Sequence, residues 1–425
     1  MALEDYRADM ERCSRCSYCK FIPFAHVKSW RFSKGCPSVE YGKFQAYSAG
    51  GRLSVGLALL EKRFSYEDSE SLMDIVYRCM LDGLCDVSDK ICRYNMEPLE
   101  TMRELRFRLV EDGQLLPQHI PMIDSLRKED NMMMKSKVDR GRWAEGLAVK
   151  DLTKESAEVV FHAGCRFSFD EELWKIPRSA ITLLRNAGVD IGIMGKEETC
   201  CGGQAYDMGY KGEFIKYAQN NIEAWTNANV KTVVTSCSDG YHAFKRLYPK
   251  LGAKFEVLHT IEYIHRLISS GRIKLSKKLP MLVTYHDPCH MGRRGEPYID
   301  WEGEEKKVRG QIVLHTPKKP RFNGVNGVYD LPREVIKSIP GVELVEMERI
   351  REYAWCCGSG GGVKEAYPDF SLWTAGERIE EAMSTGAEAL VTSCGWCERN
   401  FIDAIAKNHN KIKVYDIIEL VQQAL

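Results

Sequence analysis

The chain has 425 residues, 44% apolar and 28% charged, which indicates a globular protein of two or three domains. Lys plus Arg and Asp plus Glu both number 60, which argues against a strongly basic binder of nucleic acid or anionic membranes. No apolar run is long enough to span a bilayer, and the first residues, MALEDYRADMER, lack the apolar segment of a signal peptide. We therefore expect a cytoplasmic protein without nucleic-acid binding or direct membrane insertion.

Sixteen cysteines are the most unusual feature of the composition. Structural disulfides are rare in a reducing compartment, and a chain of this length has an ample core without them. Cysteines grouped in close sets indicate metal ligands instead. The positions of these sets divide the chain into its predicted domains.

Residues 1–113 form the first predicted domain, with helical patterns such as the stretch 99–113 and two sets of cysteines. The spacing of Cys13, Cys16 and Cys19 is typical of an iron–sulfur loop, and Pro37 follows Cys36 as it follows the fourth ligand of such motifs. In two-cluster ferredoxins the fourth cysteine of each motif binds the other cluster. This exchange predicts two ligand sets: site one with Cys13, Cys16, Cys19 and Cys92, and site two with Cys36, Cys79, Asp82 and Cys85.

Asp82 stands where a ferredoxin motif would have its middle cysteine. It either binds the fourth iron through oxygen, or leaves a 3Fe–4S cluster on three cysteines, or takes no part. An oxygen ligand suits iron–sulfur chemistry less well than a thiolate, so we expect a more labile cluster at site two. A zinc site is the alternative for these sets, but three cysteines at this spacing with a Cys-Pro favour iron–sulfur clusters.

Residues 114–156 contain no cysteine and are rich in Met, Lys and Arg, so they are predicted to be a linker on the surface. From residue 157 the chain repeats itself, which predicts a second domain at 157–278 and a third at 279–425. Cys237 and Cys394 lie 157 residues apart, whereas Cys165 and Cys289 lie only 124 apart. The third domain therefore carries an insertion, near 294–326, whose polar, Pro- and Gly-containing sequence predicts an external loop.

Each repeat alternates apolar strands with amphipathic helices, the pattern of a parallel sheet covered by helices. Cysteines follow the strand-like stretches VVFHAGC, VVTSC, VTYHDPC and LVTSC, so they lie at the carboxyl ends where such sheets bind ligands. We define the first repeat set as Cys165, Cys200, Cys201 and Cys237, and the second repeat set as Cys289, Cys356, Cys357, Cys394 and Cys397. Gly240 stands where the first set would have its fifth cysteine.

The pattern Cys…Cys-Cys-Gly…Cys-x2-Cys, duplicated behind a two-cluster region, resembles the catalytic-subunit family of heterodisulfide reductase in its fused form. That family also includes iron–sulfur subunits of glycolate and lactate oxidases. The resemblance implies an α plus α/β fold, with a helical ferredoxin-like domain followed by two Rossmann-like CCG domains. It also implies a noncubane 4Fe–4S cluster at the second repeat set and 4Fe–4S-type clusters at sites one and two. The incomplete first repeat set holds a further iron–sulfur cluster, or zinc, or nothing.

The implied function is electron transfer within an anaerobic multi-subunit redox complex, between a flavin-containing subunit like heterodisulfide reductase A and a terminal acceptor. Disulfide reduction at the noncubane cluster is the alternative, and a glycolate- or lactate-type oxidase subunit is another. The stretches HDPCHMGRRGEPYIDWEGEEKK and VEMERIREYAWCCGSGGG narrow the resemblance to tungsten-class benzoyl-CoA reductase complexes. The histidines His162, His286 and His290 flank predicted ligands and are expected to hydrogen-bond sulfur or backbone rather than bind iron.

Overall fold

The N-terminal region is helical, as its periodic apolar residues predict. The computed structural model describes residues 2–16, 18–67, 69–90, 96–309 and 312–425. Helices α1 to α5 are, in order, Arg7–Arg12, Pro37–Gly42, Ala49–Leu60, Leu72–Tyr77 and Pro98–Glu111. Helix α3 begins where the Ser48 hydroxyl accepts a hydrogen bond from the Gly51 N–H, a common N-cap. The apolar faces of α3 and α5 share a small core with Leu53, Leu57, Leu105 and Leu109.

The segment 114–156 is more than the surface linker that its composition predicts. It contains helix α6, Ile120–Glu129, and the short strand β1, Lys150–Asp151. Trp143 is buried with its ring 5.8 Å from that of Phe161, and Arg140 is fully buried. Because β1 pairs in parallel with a strand of the second domain, this segment is part of that domain's packing.

The second domain is a parallel sheet with helices on its faces, which confirms the predicted α/β class. Its strands β2 to β5 are Val159–Phe161, Ile191–Ile193, Thr232–Thr235 and Glu256–His259, in the order β1-β3-β2-β4-β5. Its helices α7 to α12 are Gly164–Phe169, Lys175–Asn186, Gly203–Met208, Lys211–Asn227, Ser238–His242 and Thr260–Ser269. Strands β2 and β4 are neighbours, so the cysteines that follow them emerge side by side.

The third domain repeats this topology in four strands, without a counterpart of β1. Strand β6 is Met281–Tyr285, and strands β9 to β11 are Val342–Leu344, Ala389–Thr392 and Lys413–Asp416. The insertion between β6 and β9 contributes β7, Glu304–Val308, and β8, Ile312–Thr316. The sheet order β11-β10-β6-β9 again places the two cysteine-bearing strands side by side. Helices α13 to α17 are Asp330–Ser338, Val363–Ala366, Pro368–Ser384, Gly395–Asn408 and Ile417–Gln423.

The insertion differs from the loop that its polar composition predicts. Strands β7 and β8 form an antiparallel hairpin that belongs to neither parallel sheet. Strand β7 is charged at four of its five residues, and the exposed Glu304, Glu305 and Leu314 are compatible with a two-stranded ribbon that lies largely in solvent. The hairpin thus adds a separate surface feature to the third domain.

The carboxyl edges of the two parallel sheets face each other. The Ser238 hydroxyl, just after β4, donates a 3.0 Å hydrogen bond to the carbonyl of Ser393, just after β10. Across the same junction the Arg166 guanidinium lies 4.1 Å from the centre of the Trp396 ring. The two repeat sets of cysteines therefore lie on opposite sides of one interdomain contact.

Candidate metal centres

The five cysteines of the second repeat set meet at the carboxyl edge of the second sheet. Cys289 follows β6, Cys356 and Cys357 follow β9, and Cys394 and Cys397 lie at the start of α16. None of the five is more than 8% exposed. Their thiols contact one another in an unbroken chain, in the order Cys289, Cys356, Cys357, Cys397, Cys394.

Protons are shared unequally along this chain of thiols. Hydrogen bonds from Cys356 and Cys397 lower the pKa of Cys357 to about 6, whereas a hydrogen bond to Cys356 and burial hold the pKa of Cys289 well above its ordinary value. A metal replaces such protons, because a thiol that coordinates a metal is deprotonated. Five buried sulfur donors fit an iron–sulfur cluster in their chemistry and exceed the four ligands that zinc takes.

Two histidines lie against the second repeat set from different sides. One nitrogen of His286 and the sulfurs of Cys357 and Cys397 all lie within 4.8 Å of one another, the only such group of potential ligands in the described chain. His290 Nδ1 lies 3.2 Å from the Cys289 sulfur and 3.2 Å from an Asp239 oxygen. Asp239 therefore contacts His290, the neighbour of Cys289, although in the chain it stands beside Gly240, the position of the missing fifth cysteine of the first repeat set.

The electrostatics of His290 follow from its burial between charged groups. Burial and the Arg294 guanidinium lower the pKa of His290, but Asp239, Cys289 and Asp207 outweigh them and raise it to about 9. Arg294 in turn pairs with Asp207 at 2.7 Å. The result is a buried network of charges between the second and third domains.

In the first repeat set one thiol, that of Cys237, is set apart from the other three. The thiol of Cys200 contacts those of Cys165 and Cys201. The Cβ of Cys237 lies 3.8 Å from the position that a Cβ on Gly164 would occupy. No three of these four thiols lie within 4.8 Å of one another among the described residues. The same is true, within the described residues, of the five thiols of the second repeat set, so this spacing does not distinguish zinc from an iron–sulfur cluster at either set.

Arg140 is a functional candidate that sequence reasoning missed. Its guanidinium is fully buried, lies 3.5 Å from the Cys165 sulfur and pairs with Glu198 at 3.1 Å. Such a cation stabilises negative charge on neighbouring sulfur. Its place in a charged, cysteine-free segment gave no local signal for this role.

Site two is a cavity in the N-terminal domain. Its walls bring together the four predicted ligands and one more cysteine, namely Cys36, Cys79, Asp82, Cys85 and Cys19. Burial, as the largest cause, raises the pKa of Cys36 to about 11 even though the Arg52 guanidinium lowers it. Four sulfur donors facing one cavity fit an iron–sulfur cluster in their chemistry.

Site one lies nearer the surface. Cys16 is exposed, while Cys13 is buried with its sulfur 3.4 Å from the position of a Cβ on Gly50. The Gly50 N–H hydrogen-bonds the sulfur of Cys19, although burial still raises the pKa of Cys19 to about 12. Cys92, the predicted fourth ligand of site one, lies outside the described residues. Cys19 links the two sites, since it also lines the cavity of site two.

Asp82 has a second partner that its motif position does not reveal. One oxygen accepts a hydrogen bond from the Leu84 N–H, and the other lies 3.2 Å from the Arg293 guanidinium of the third domain. Arg293 also donates to the carbonyls of Asp82 and Ala354. Asp82 thus lines the cavity of site two and belongs to a buried ion pair between domains.

Arg106 joins the three domains at one fully buried guanidinium. It donates to the carbonyl of Cys79 at 2.6 Å, of Gly361 at 2.9 Å and of Asp207 at 2.7 Å. Gly361 follows Cys357 of the second repeat set by four residues, and Cys79 belongs to site two. The same side chain therefore fixes the spacing between those two sites.

Comparison with known proteins gives three kinds of match. The family model of the cysteine-rich CCG domain matches residues 159–245 and 283–402, one match in each repeat. Component D of the dihydromethanophenazine:CoB–CoM heterodisulfide reductase of Methanosarcina mazei is 31% identical over 84% of this chain and 79% of that protein. The EtfAB:quinone oxidoreductase of Syntrophomonas wolfei is 27% identical over 80% of this chain and 46% of that protein.

A solved structure is similar in fold alone. The crystal structure of a hypothetical protein from Helicobacter pylori aligns with a TM-score of 0.51 at 10% identity, over 89% of this chain and 67% of that one. In the described part of the chain, no helix is both long enough and apolar enough to cross a membrane.

Proposed function

The chain belongs to the family of CCG-domain heterodisulfide reductase subunits and is an iron–sulfur oxidoreductase subunit, and we propose that it carries electrons within a multi-subunit redox complex. The electrons pass between a flavin-containing partner like heterodisulfide reductase A and a terminal acceptor. Iron–sulfur clusters, when bound, supply one-electron chemistry. The chain's own residues hold the four candidate sites at fixed spacings and exclude solvent from most of them.

The observation that carries this proposal is a direct contact between site two and the second repeat set. A Cβ built on Gly360 would lie 2.6 Å from the Met80 carbonyl oxygen, and one on Gly361 would lie 2.9 Å from that of Cys79. Only glycine allows so close an approach of two backbones. The loop of site two is therefore seated on the glycine loop that follows Cys356 and Cys357.

The same packing suggests the order in which electrons pass between the sites. It begins at site one, where Cys16 is exposed, continues through site two, which shares Cys19 with it, and ends at the second repeat set. Cys165 and Cys200 of the first repeat set pack instead against apolar residues of α6 and the segment after it, such as Met122, Leu126 and Met132, and only Cys237 faces Cys394 of the second set within the described residues. We therefore place the first repeat set off the main route.

The composition of the purified chain tests this proposal. Anaerobic preparations should contain about a dozen or more iron atoms per chain, from three to four clusters of about four irons each. EPR of the reduced full chain should show more than one signal. Zinc without iron would refute the proposal for every site.

Disulfide reduction is the second candidate, and the position of His290 favours it. This side chain contacts both Cys289 and Asp239, so a proton donor stands beside the second repeat set. Reduction of a disulfide takes two electrons and two protons and releases two thiols. Turnover of a disulfide with reduced viologen by the full chain would support this candidate. Clusters that react with a flavoprotein but turn over no disulfide would support electron transfer.

The narrower assignment, to a benzoyl-CoA reductase complex, rests on the sequence resemblance around the insertion. We propose the hairpin β7–β8 as the feature to test, because it is the part of the third domain that the second lacks. A full chain without residues 304–316 should keep its iron but no longer co-purify with the other subunits of such a complex. Unchanged co-purification would remove the hairpin from the interface.

A further inference from the structure

His286 occupies an unusual position at the second repeat set. It follows strand β6, is 1% exposed, and its ring stacks edge-on at 4.9 Å against Phe401. Its Nε2 is buried without a hydrogen-bond partner among the described residues. One of its nitrogens lies within 4.8 Å of the sulfurs of Cys357 and Cys397. A buried polar atom without a partner is costly, so its ligand is expected nearby.

The other ring nitrogen decides what Nε2 can do. His286 Nδ1 lies 3.2 Å from Nε of Arg378, on helix α15. A guanidinium has only donors, so Nδ1 must accept this hydrogen bond. A ring nitrogen that accepts carries no proton, and the one proton of the neutral ring then sits on Nε2.

Further contacts hold the guanidinium of Arg378 in this position. It is fully buried, and its Nη1 donates to the carbonyl of Arg349 at 2.9 Å and to Glu381 at 2.7 Å. Glu381 also pairs with Arg349 at 2.9 Å. The three charged side chains hold one another in a single arrangement, and with it the orientation of the imidazole.

We propose that Arg378 fixes His286 as an N–H donor toward sulfur at the second repeat set, and that His286 is not an iron ligand. This inference rests on the proposed iron–sulfur cluster at that set. A nitrogen that carries a proton has no lone pair for iron, but it can donate to a cysteine or cluster sulfur. Such a hydrogen bond stabilises the more negative, reduced state and raises the reduction potential.

The first repeat shows that this arrangement is not a general consequence of the fold. His162 occupies the matching place after β2, but its Nε2 donates to the Thr199 carbonyl at 3.0 Å. Its N–H is therefore used by the backbone and is not free for sulfur. The two repeats thus differ in the availability of a histidine N–H donor for sulfur as well as in one cysteine.

Redox titration of the full iron-loaded chain, followed by EPR, tests the proposal. His286→Leu should keep its iron content but shift the midpoint of the second repeat set downward. At a fixed potential, the ratio of reduced to oxidised cluster should fall at least tenfold, which for one electron corresponds to a midpoint shift of about 59 mV. His286→Gln, which retains an N–H, should recover part of the shift. The control His265→Leu removes a histidine that pairs with Glu334 on the surface and should shift nothing.

Arg378→Met separates the positioning role from a structural one. Without the guanidinium the ring proton is free to move to Nδ1, so the midpoint should fall in the same direction while iron stays bound. An unchanged midpoint in iron-replete His286→Leu would overturn the inference. Loss of one iron from that variant, without recovery in His286→Gln, would show ligation and overturn it as well. An iron-free wild-type chain would instead refute the proposed function.

A measurement on the wild-type chain remains decisive should the variants fail to fold. Pulsed EPR of protein with 15N-labelled histidine should detect weakly coupled nitrogens from two histidine rings at the second repeat set, His286 and His290, because His290 Nδ1 also lies 3.2 Å from the Cys289 sulfur. Coupling to one ring alone would contradict the inference. Exchange into D₂O should replace a coupled proton by deuterium. A strong coupling of the kind that a direct iron–nitrogen bond produces would contradict the assignment of His286 as a donor.

Discussion

Gly360→Ala is the change that most directly tests the contact between site two and the second repeat set. The Cβ that it adds would lie 2.6 Å from the Met80 carbonyl oxygen, against 3.4 Å for an ordinary contact. The carbonyl and the loop that carries Cys79 must then retreat by the difference, about 0.8 Å. Because the φ angle of Gly360 is not in the left-handed region, the effect is steric rather than conformational.

The expected magnitude follows from forcing extra volume into a packed contact. Such overpacking lowers the free energy of unfolding by about 1–3 kcal/mol. The wider gap should also slow the arrival of electrons at the second repeat set, while the N-terminal sites are reduced as fast as in the wild type. Freeze-quench EPR after rapid mixing with a reductant separates the two signals, and denaturant titration gives the stability.

Gly212→Ala is the matched control. A Cβ at Gly212, in α10, meets no atom within 4 Å, so alanine should stabilise the helix by up to about 1 kcal/mol and leave electron transfer unchanged. Unchanged kinetics and stability in Gly360→Ala would refute the contact and with it the proposed route. Equal slowing in both variants would mean that the effect is not specific to this loop.

Three further predictions concern the single side chains Asp82, Arg106 and His119. Asp82→Cys should convert a 3Fe–4S or oxygen-ligated EPR signal at site two to an ordinary 4Fe–4S one, and an unchanged spectrum would place Asp82 away from the cluster. Arg106→Met removes the donor of five carbonyls, including those of Cys79, Asp207 and Gly361, and should cost about 3–5 kcal/mol in denaturant unfolding. The exposed Arg185→Met is the control, and a loss below about 1 kcal/mol in Arg106→Met would contradict its bridging role. Burial lowers the pKa of His119 from 6.5 to about 4, so its contribution to stability is present above pH 6.5 and lost toward pH 4. The His119→Gln variant can still donate a hydrogen bond to Gly362, so between pH 6.5 and pH 4 its free energy of unfolding should fall by up to about 3 kcal/mol less than that of the wild type. An identical pH dependence of stability in the two proteins would exclude His119 as a cause.

Local sequence patterns are enough to predict the repeated part of the fold. Alternating apolar strands and helices, repeated with an offset of 157 residues between Cys237 and Cys394, predict two α/β units, and the structure has two parallel sheets of matching strand order. The place of the cysteines after strands also follows from the sequence. The carboxyl ends of neighbouring parallel strands must meet at one edge, so these thiols converge.

The charged side chains that surround the cysteines, by contrast, are selected by tertiary packing. Arg106 reaches a carbonyl 255 residues away, and Arg293 reaches the carbonyl of Asp82 211 residues away. Arg140 reaches the Cys165 sulfur from the segment that precedes β2. Nothing in the local sequence distinguishes them from solvated arginines, because their burial depends on how three domains pack. The same packing places Asp239, which stays beside Cys237 of the first repeat set, 3.2 Å from His290 of the third domain. It also aims the one N–H of His286 at the second set, since Arg378 is brought there by a helix 92 residues further along the chain.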